Sequence, residues 1–298
     1  MNALDKCDAI EAALMRRLGE IYGGALRTAV RKEKAFLEKI KAIDEGRIKP
    51  PQYYVDTDQV DRWRQGYMRE LVRQQNVISN IMDELDRAGV EAADLIRETM
   101  PEYYVINRDE AIRRLSAGMA NTGLDGSFTE HTRRQVEIIV SDEESPFSRL
   151  AYQNMGQNPA IRRRLQNELA QATILGESQE QIIRRIRAVT NQSYAQARRV
   201  AQTERTRVQS QARWDACSEA VAMGVAVVNE WSTRMVNSRD THIALNGKKA
   251  LHGEYFPGSP LRYPGDPYAP ASEVVNCHCV MVPDVLMPGQ QVVDGEVV

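Results

Sequence analysis

Two of the four cysteines stand one residue apart, around one of the four histidines, in the stretch EVVNCHCVMVPD. In an extended strand Cys277 and Cys279 would project from one face and His278 from the other, because side chains alternate. Two thiolates on one face can grip a zinc ion, since Zn–S bonds near 2.3 Å need sulfurs only a few ångströms apart. Zinc would need further ligands; His242, in SRDTHIALNG, is the first choice and His252 the second. Other chemistries compete for the same residues. A disulfide would have to span roughly 6.6 Å between Cα atoms, the outer limit for the bond. A thiol nucleophile would need His242 as base and Arg239 or Asn276 as polarising groups. A cysteine embedded in a strand is poorly exposed for such attack. The plain alternative is a pair of cysteines packed beneath a loop beside a hydrogen-bonded histidine. The pattern leaves zinc and plain packing in contention.

The second grouping is made of arginine. Between Arg184 and Arg213 there are eight arginines and one acid, Glu204. On a helix, Arg198, Gln202, Arg205, Gln209 and Arg213 recur every three or four residues and form one stripe. Guanidinium forks suit phosphates or a carboxylate-rich protein surface. Arg198, Arg205 and Arg213 are therefore the expected contacts for DNA or a protein partner, with a solvated face as the alternative.

These groups must be positioned by two kinds of chain. Residues 1 to about 228 read as successive helices. Leu4, Leu14, Leu18, Ile21, Ala25 and Ala29 give the first one an apolar stripe, and Pro50-Pro51 would end it. Asp56 is the expected N-cap of a second helix, with Gly89 as its stop. Asn107 with Glu110, and Ser178 with Gln181, have capping-box spacing. Ser145-Pro146 suits a helix start and Gly176 a helix end. After Gly224 the texture changes: VAVVNEWS alternates and is β-branched, a Pro/Gly-rich loop fills 256–270, and VVNCHCVMV returns as a strand. The expected fold is α+β, with a long helical N-terminal region and a small C-terminal module of short strands. Its expected parts are a helical stalk over 1–190, the module over 191–283 and a loose tail over 284–298.

Composition removes several classes. A net charge of −2 gives no global basic bias toward nucleic acid. The clean apolar run Ala220–Val228 is far short of the ~20 residues that a membrane helix needs. The N-terminal residues mix charge into their apolar positions, unlike a signal peptide. A reducing cytoplasm is expected, which disfavours a disulfide.

Several ordered blocks carry a resemblance: RVAQTERTRVQSQA, then Trp231, RDTHIALNGKKA, YF, and LRYPGDPYAPASEVVNCHC. Together, over about Ala195 to Val282, they resemble the phage Mu F-like minor head proteins of the head-morphogenesis family. That family usually has arginine where this chain has His278. It also tends to place an aspartate and an arginine where this chain has Met235 and Asn237. The resemblance implies a minor capsid protein without enzymatic activity, made in the host cytoplasm and carried in the virion head near the portal. Its implied partners are portal, capsid and scaffold proteins and packaged DNA; no cofactor is implied beyond the zinc already raised. A toxin-like enzyme can follow the module in relatives, and the short tail here argues for the plain form. Among shared residues, Asp266 should cap the Pro264–Pro267 loop, Trp231 should mark the first strand, and Arg239 should pair with Glu273. Asn276 and His242 join that polar set. The competing reading is a metal- or thiol-dependent hydrolase built on His242, Cys277 and Cys279.

Overall fold

The computed structural model describes residues 3–52, 56–73, 76–124, 126–141, 146–175, 177–235 and 238–298. The expected positions Ser145, Gly176 and Asn237 lie outside the described residues. Helix α1 spans Ala3–Asp44, α2 Thr57–Arg73 and α3 Asn76–Thr122. Then come α4 (Arg133–Ile139), α5 (Pro146–Gly156), α6 (Pro159–Ile174) and α7 (Gln179–Ala222). The C-terminal part alternates short elements: β1 (Val227–Ser232), α8 (Asp240–Ala244), β2 (Lys249–Leu251), α9 (Ala271–Val274), β3 (Val280–Val285), β4 (Val292–Val293) and β5 (Glu296–Val297). The fold is α+β.

Local chemistry explains several helix ends. In α1, Leu14, Leu18, Ala25 and Ala29 of the expected stripe are buried, whereas Ile21 is half-buried and Leu4 is 53% exposed. The helix stops before the prolines, where left-handed Gly46 (φ 67°) lets the Ile48 N–H reach the Ala42 carbonyl at 2.9 Å. Asp56 Oδ1 accepts from the Asp58 N–H at 2.7 Å, ahead of α2. Ser178 and Gln181 exchange both capping-box bonds, at 2.7 and 3.4 Å.

Two expected boundaries fail. Helix α3 runs through both Gly89 and Asn107. A Cβ at Gly89 would overlap the carbonyl of Met155, so this glycine serves close backbone approach, not helix termination. Asn107 is buried mid-helix and donates to the Tyr103 carbonyl at 2.8 Å.

The chain divides into two compact units. One is built from residues 17–92 and 153–196, with Leu18, Ile81, Leu165, Ile186 and Val189 fully buried. The other comprises 1–16, 93–152 and 197–298. The expected boundary near 190 is thus close to one division on α7, but two earlier segments belong to the same unit as the C-terminal module.

In this latter unit, β1 is the middle strand of an antiparallel sheet ordered β2-β1-β3, with Val228 opposite Leu251 and Trp231 opposite Met281. Val227, Asn229 and Trp231 share one face of β1 and are buried, as are Met281 and Val285 beside them on β3, whereas Glu230 and Ser232 on the other face are only half-buried. Toward the Val227 end of that face Ala111, Leu115 and Met119 of α3 and Ala216, Cys217 and Ala220 of α7 pack with Val227, Tyr263 and Val285. Toward its Trp231 end Trp231, Leu245, Phe256, Leu261 and Val274 pack with Cys277 and Cys279. The segment expected to be a loose tail forms the hairpin β4–β5 around Asp294-Gly295, whose φ values are 50° and 84°. The Lys249 N–H on β2 donates to the Gly295 carbonyl at 2.8 Å, tying that hairpin to the sheet edge.

Candidate functional site

The turn that carries His242 is pinned to β1. Trp231 exchanges backbone bonds with it, its N–H to the Lys248 carbonyl and its carbonyl from the Gly247 N–H, each 2.8 Å. Gly247 takes φ 79°, as the turn after α8 requires. His242 itself is 1% exposed, with the edge of the Trp231 ring 5.1 Å away between centroids. Its Nε2 lies 3.0 Å from Glu273 Oε2 on α9, an oxygen that also accepts from Thr241 Oγ1 at 3.1 Å. Its Nδ1 lies 3.5 Å from the sulfurs of both Cys277 and Cys279.

The cysteines reach that point through a turn, not through the strand expected for them. Asn276 takes φ 58°, a conformation asparagine tolerates, and its N–H donates to Thr203 Oγ1 of α7 at 2.9 Å. The Cys277 carbonyl accepts from Gln202 Nε2 at 3.0 Å and Thr206 Oγ1 at 2.5 Å. The Cys279 N–H then folds back toward Cys277 Sγ at 3.4 Å, and β3 begins at the next residue. Both sulfurs consequently face His242. All four cysteines are free thiols, and these two are buried at 1% and 2% exposure.

Electrostatics makes the two sulfurs unequal. The hydrogen bond to Cys279, together with burial, pushes the Cys277 thiol up. The bond from Cys277 holds Cys279 well below the usual thiol range, with help from His242 and from Thr233, whose Oγ1 lies 3.4 Å from the sulfur. Such a set can bind a soft cation, but its burial leaves no approach for a substrate carbonyl.

The remaining predicted residues separate into those the fold brings here and those it does not. Arg239 does not pair with Glu273: its guanidinium donates to the Val275 carbonyl, while Glu273 faces His242. His252 is not a further ligand. It lies against Trp214 at 4.0 Å and bonds Ser218 and Asn229, where burial pushes its pKa down to about 4. Asp266 is 1% exposed; it holds the Arg262 fork at 2.9 and 3.0 Å and accepts from the Tyr268 N–H at 3.0 Å. Trp231 lies on β1 and donates from Nε1 to Thr233 at 3.2 Å. His278 is half-buried and is not one of the cluster's ligand residues.

The arginine stripe is real but turned inward. Gln202, Arg205 and Gln209 are buried. Arg205 pairs with Glu11 and Asp8 on α1, and Arg213 donates to the Met281 carbonyl and to Asn107 Oδ1. Arg205 and Arg213 are thereby engaged inside their unit and are not phosphate contacts; Arg198 alone of the three is exposed. Sequence reasoning missed Glu204, buried at 2% exposure, which accepts from Ser148 and from the Arg207 fork. It also missed Thr203 and Thr206, whose signal was their position in the TERT stretch of the resemblance.

A helical scaffold that ends in a small antiparallel sheet around a buried His–Cys–Cys cluster is the class of protein this geometry defines. Residues 163–282, a stretch that holds the whole cluster, match the family described as "Phage Mu protein F like protein". The match begins within α6, earlier than the blocks near Ala195 suggested. It points the chain to phage head morphogenesis. A curated protein of Enterococcus faecalis, NAD(+)--arginine ADP-ribosyltransferase EFV, is 33% identical over 132 residues, which are 43% of this chain and 25% of that protein. The chain therefore spans about a quarter of that relative's length. No solved structure matches the chain significantly. Among the described residues no helix is long and apolar enough to cross a membrane.

Proposed function

We propose that the chain is a minor head protein, held at the prohead interior by contact with the portal protein and neighbouring capsid or scaffold proteins. The observation that carries this reading is the Phage Mu F-like match over residues 163–282. The role is structural, not catalytic. His242, Cys277 and Cys279 are each at most 2% exposed, which disfavours the hydrolase reading, since a nucleophile must meet its substrate. Direct DNA contact, if made, falls to exposed groups such as Arg198 and not to the buried members of the stripe.

Co-expression with the portal protein of the same phage tests the reading. The chain should co-sediment with portal rings or proheads at low salt. Clean separation of the two under those conditions removes the proposal.

A further inference from the structure

We infer that His242 Nδ1 and the sulfurs of Cys277 and Cys279 hold one zinc ion, as a structural clamp on the C-terminal module. The inference stands independently of the head-assembly reading. Zn–N bonds of 2.0–2.1 Å and Zn–S bonds near 2.3 Å, set at a tetrahedral angle, place nitrogen and sulfur about 3.5 Å apart. Both nitrogen–sulfur separations are 3.5 Å, and all three ligand atoms lie within 4.8 Å of one another. With its single proton or single lone pair, one imidazole nitrogen could meet both sulfurs by hydrogen bonding only through a weak three-centre bond. A cation among the three atoms satisfies both.

A second observation comes from behind the ring. Coordination through Nδ1 requires the imidazole proton on Nε2, and Nε2 is the atom that faces Glu273 at 3.0 Å. A carboxylate behind a ligating histidine fixes its tautomer and strengthens it as a donor. The donor set selects the ion: two thiolates and an imidazole suit zinc and reject magnesium, calcium and manganese, which take oxygen ligands. Among the described residues no fourth histidine, cysteine or carboxylate joins the group, so water or the Thr233 hydroxyl completes the shell. The clamp would join α8, which bears His242, to the turn between α9 and β3. Those segments are separated by the Pro/Gly-rich loop, which has no ladder of its own to hold them.

The full chain, purified without a histidine tag, should carry one zinc per chain by elemental analysis. Cobalt(II) exchanged into the site should show thiolate-to-metal charge transfer in the near ultraviolet. Chelation should lower the thermal midpoint, and zinc but not magnesium should restore it. Cys279→Ser should lose the metal. Because that variant could also fail to fold, Glu273→Gln provides a second measure: it should fold and bind zinc about 10–100-fold more weakly. A protein without metal whose melting ignores added zinc overturns the inference. So does a cobalt form lacking the thiolate band, or Glu273→Gln with unchanged zinc affinity.

Discussion

The carboxyl of Glu33 is 4% exposed, and among the described residues its buried Oε2 has no hydrogen-bond partner. Burial pushes its pKa up to about 7 from the ordinary 4.5. The folded value exceeds the unfolded one, so its contribution to stability is complete below pH 4.5 and is lost as pH rises through 7. Glu33→Gln removes this dependence. Its stability relative to the parent, from urea unfolding, should be about 1–3 kcal/mol more favourable at pH 8 than at pH 4.5. An equal difference at both pH values would show that the carboxyl ionises freely in the fold. Residues of this kind also mark what the sequence discloses. His242, Cys277 and Cys279 were legible because few residue types do their chemistry and the chain has few of them. The partner of Glu273 was not: Arg239 and His242 can both donate a hydrogen bond from a similar distance away in sequence, and only backbone direction decides between them. The stripe through Arg205 was legible as a period, but a period does not say which face is inside. Glu11 and Asp8, nearly two hundred residues away, decide that.

Among the elements, those whose ends are settled by neighbours within a turn were readable. Asp56, Ser178 and the Pro50-Pro51 pair act on backbone groups two or three positions away, so their meaning is local. Gly89 and Asn107 carry the same residue types with a tertiary purpose. Gly89→Ala provides the test at this scale. In an exposed helix the change would stabilise by about 1 kcal/mol, because alanine is the better helix former. Here the added methyl meets the Met155 carbonyl, so the variant should instead lose about 1–3 kcal/mol, read as a lower urea midpoint. A stabilised variant would mean that α3 and α5 do not approach so closely. The hairpin β4–β5 shows the opposite error. Asp294-Gly295 is a strong two-residue turn signal, but the flanking valines were passed over because short terminal segments so often lack partners.

For the whole molecule, the α+β class and the order of helices before strands were legible from the change in texture after Gly224. That residues 1–16 and 93–152 share a unit with 197–298 was not, since long-range packing leaves no local mark. The core shows why the segments are inseparable. Ala111, Leu115 and Met119 cover the face presented by Ala216, Val227 and Val285, and a Cβ on Gly118 would come within 2.6 Å of Val285. A fragment of residues 191–283 lacks this cover and also lacks the hairpin that caps β2. Expressed alone, it should show no cooperative melting and no dispersed amide spectrum. A cooperatively folded fragment would make the module independent of its helices. The pairing of Arg205 with α1 has a further consequence in time. Glu11 leaves the ribosome 194 residues ahead of its guanidinium partner. At 5–20 residues per second that is a wait of about 10–40 s. Throughout it, the leading turns of α1 present an apolar stripe with nothing of their own to cover it. Whatever binds nascent chains in the host thus has a long opportunity here, and the yield of folded protein should depend on how fast the message is read.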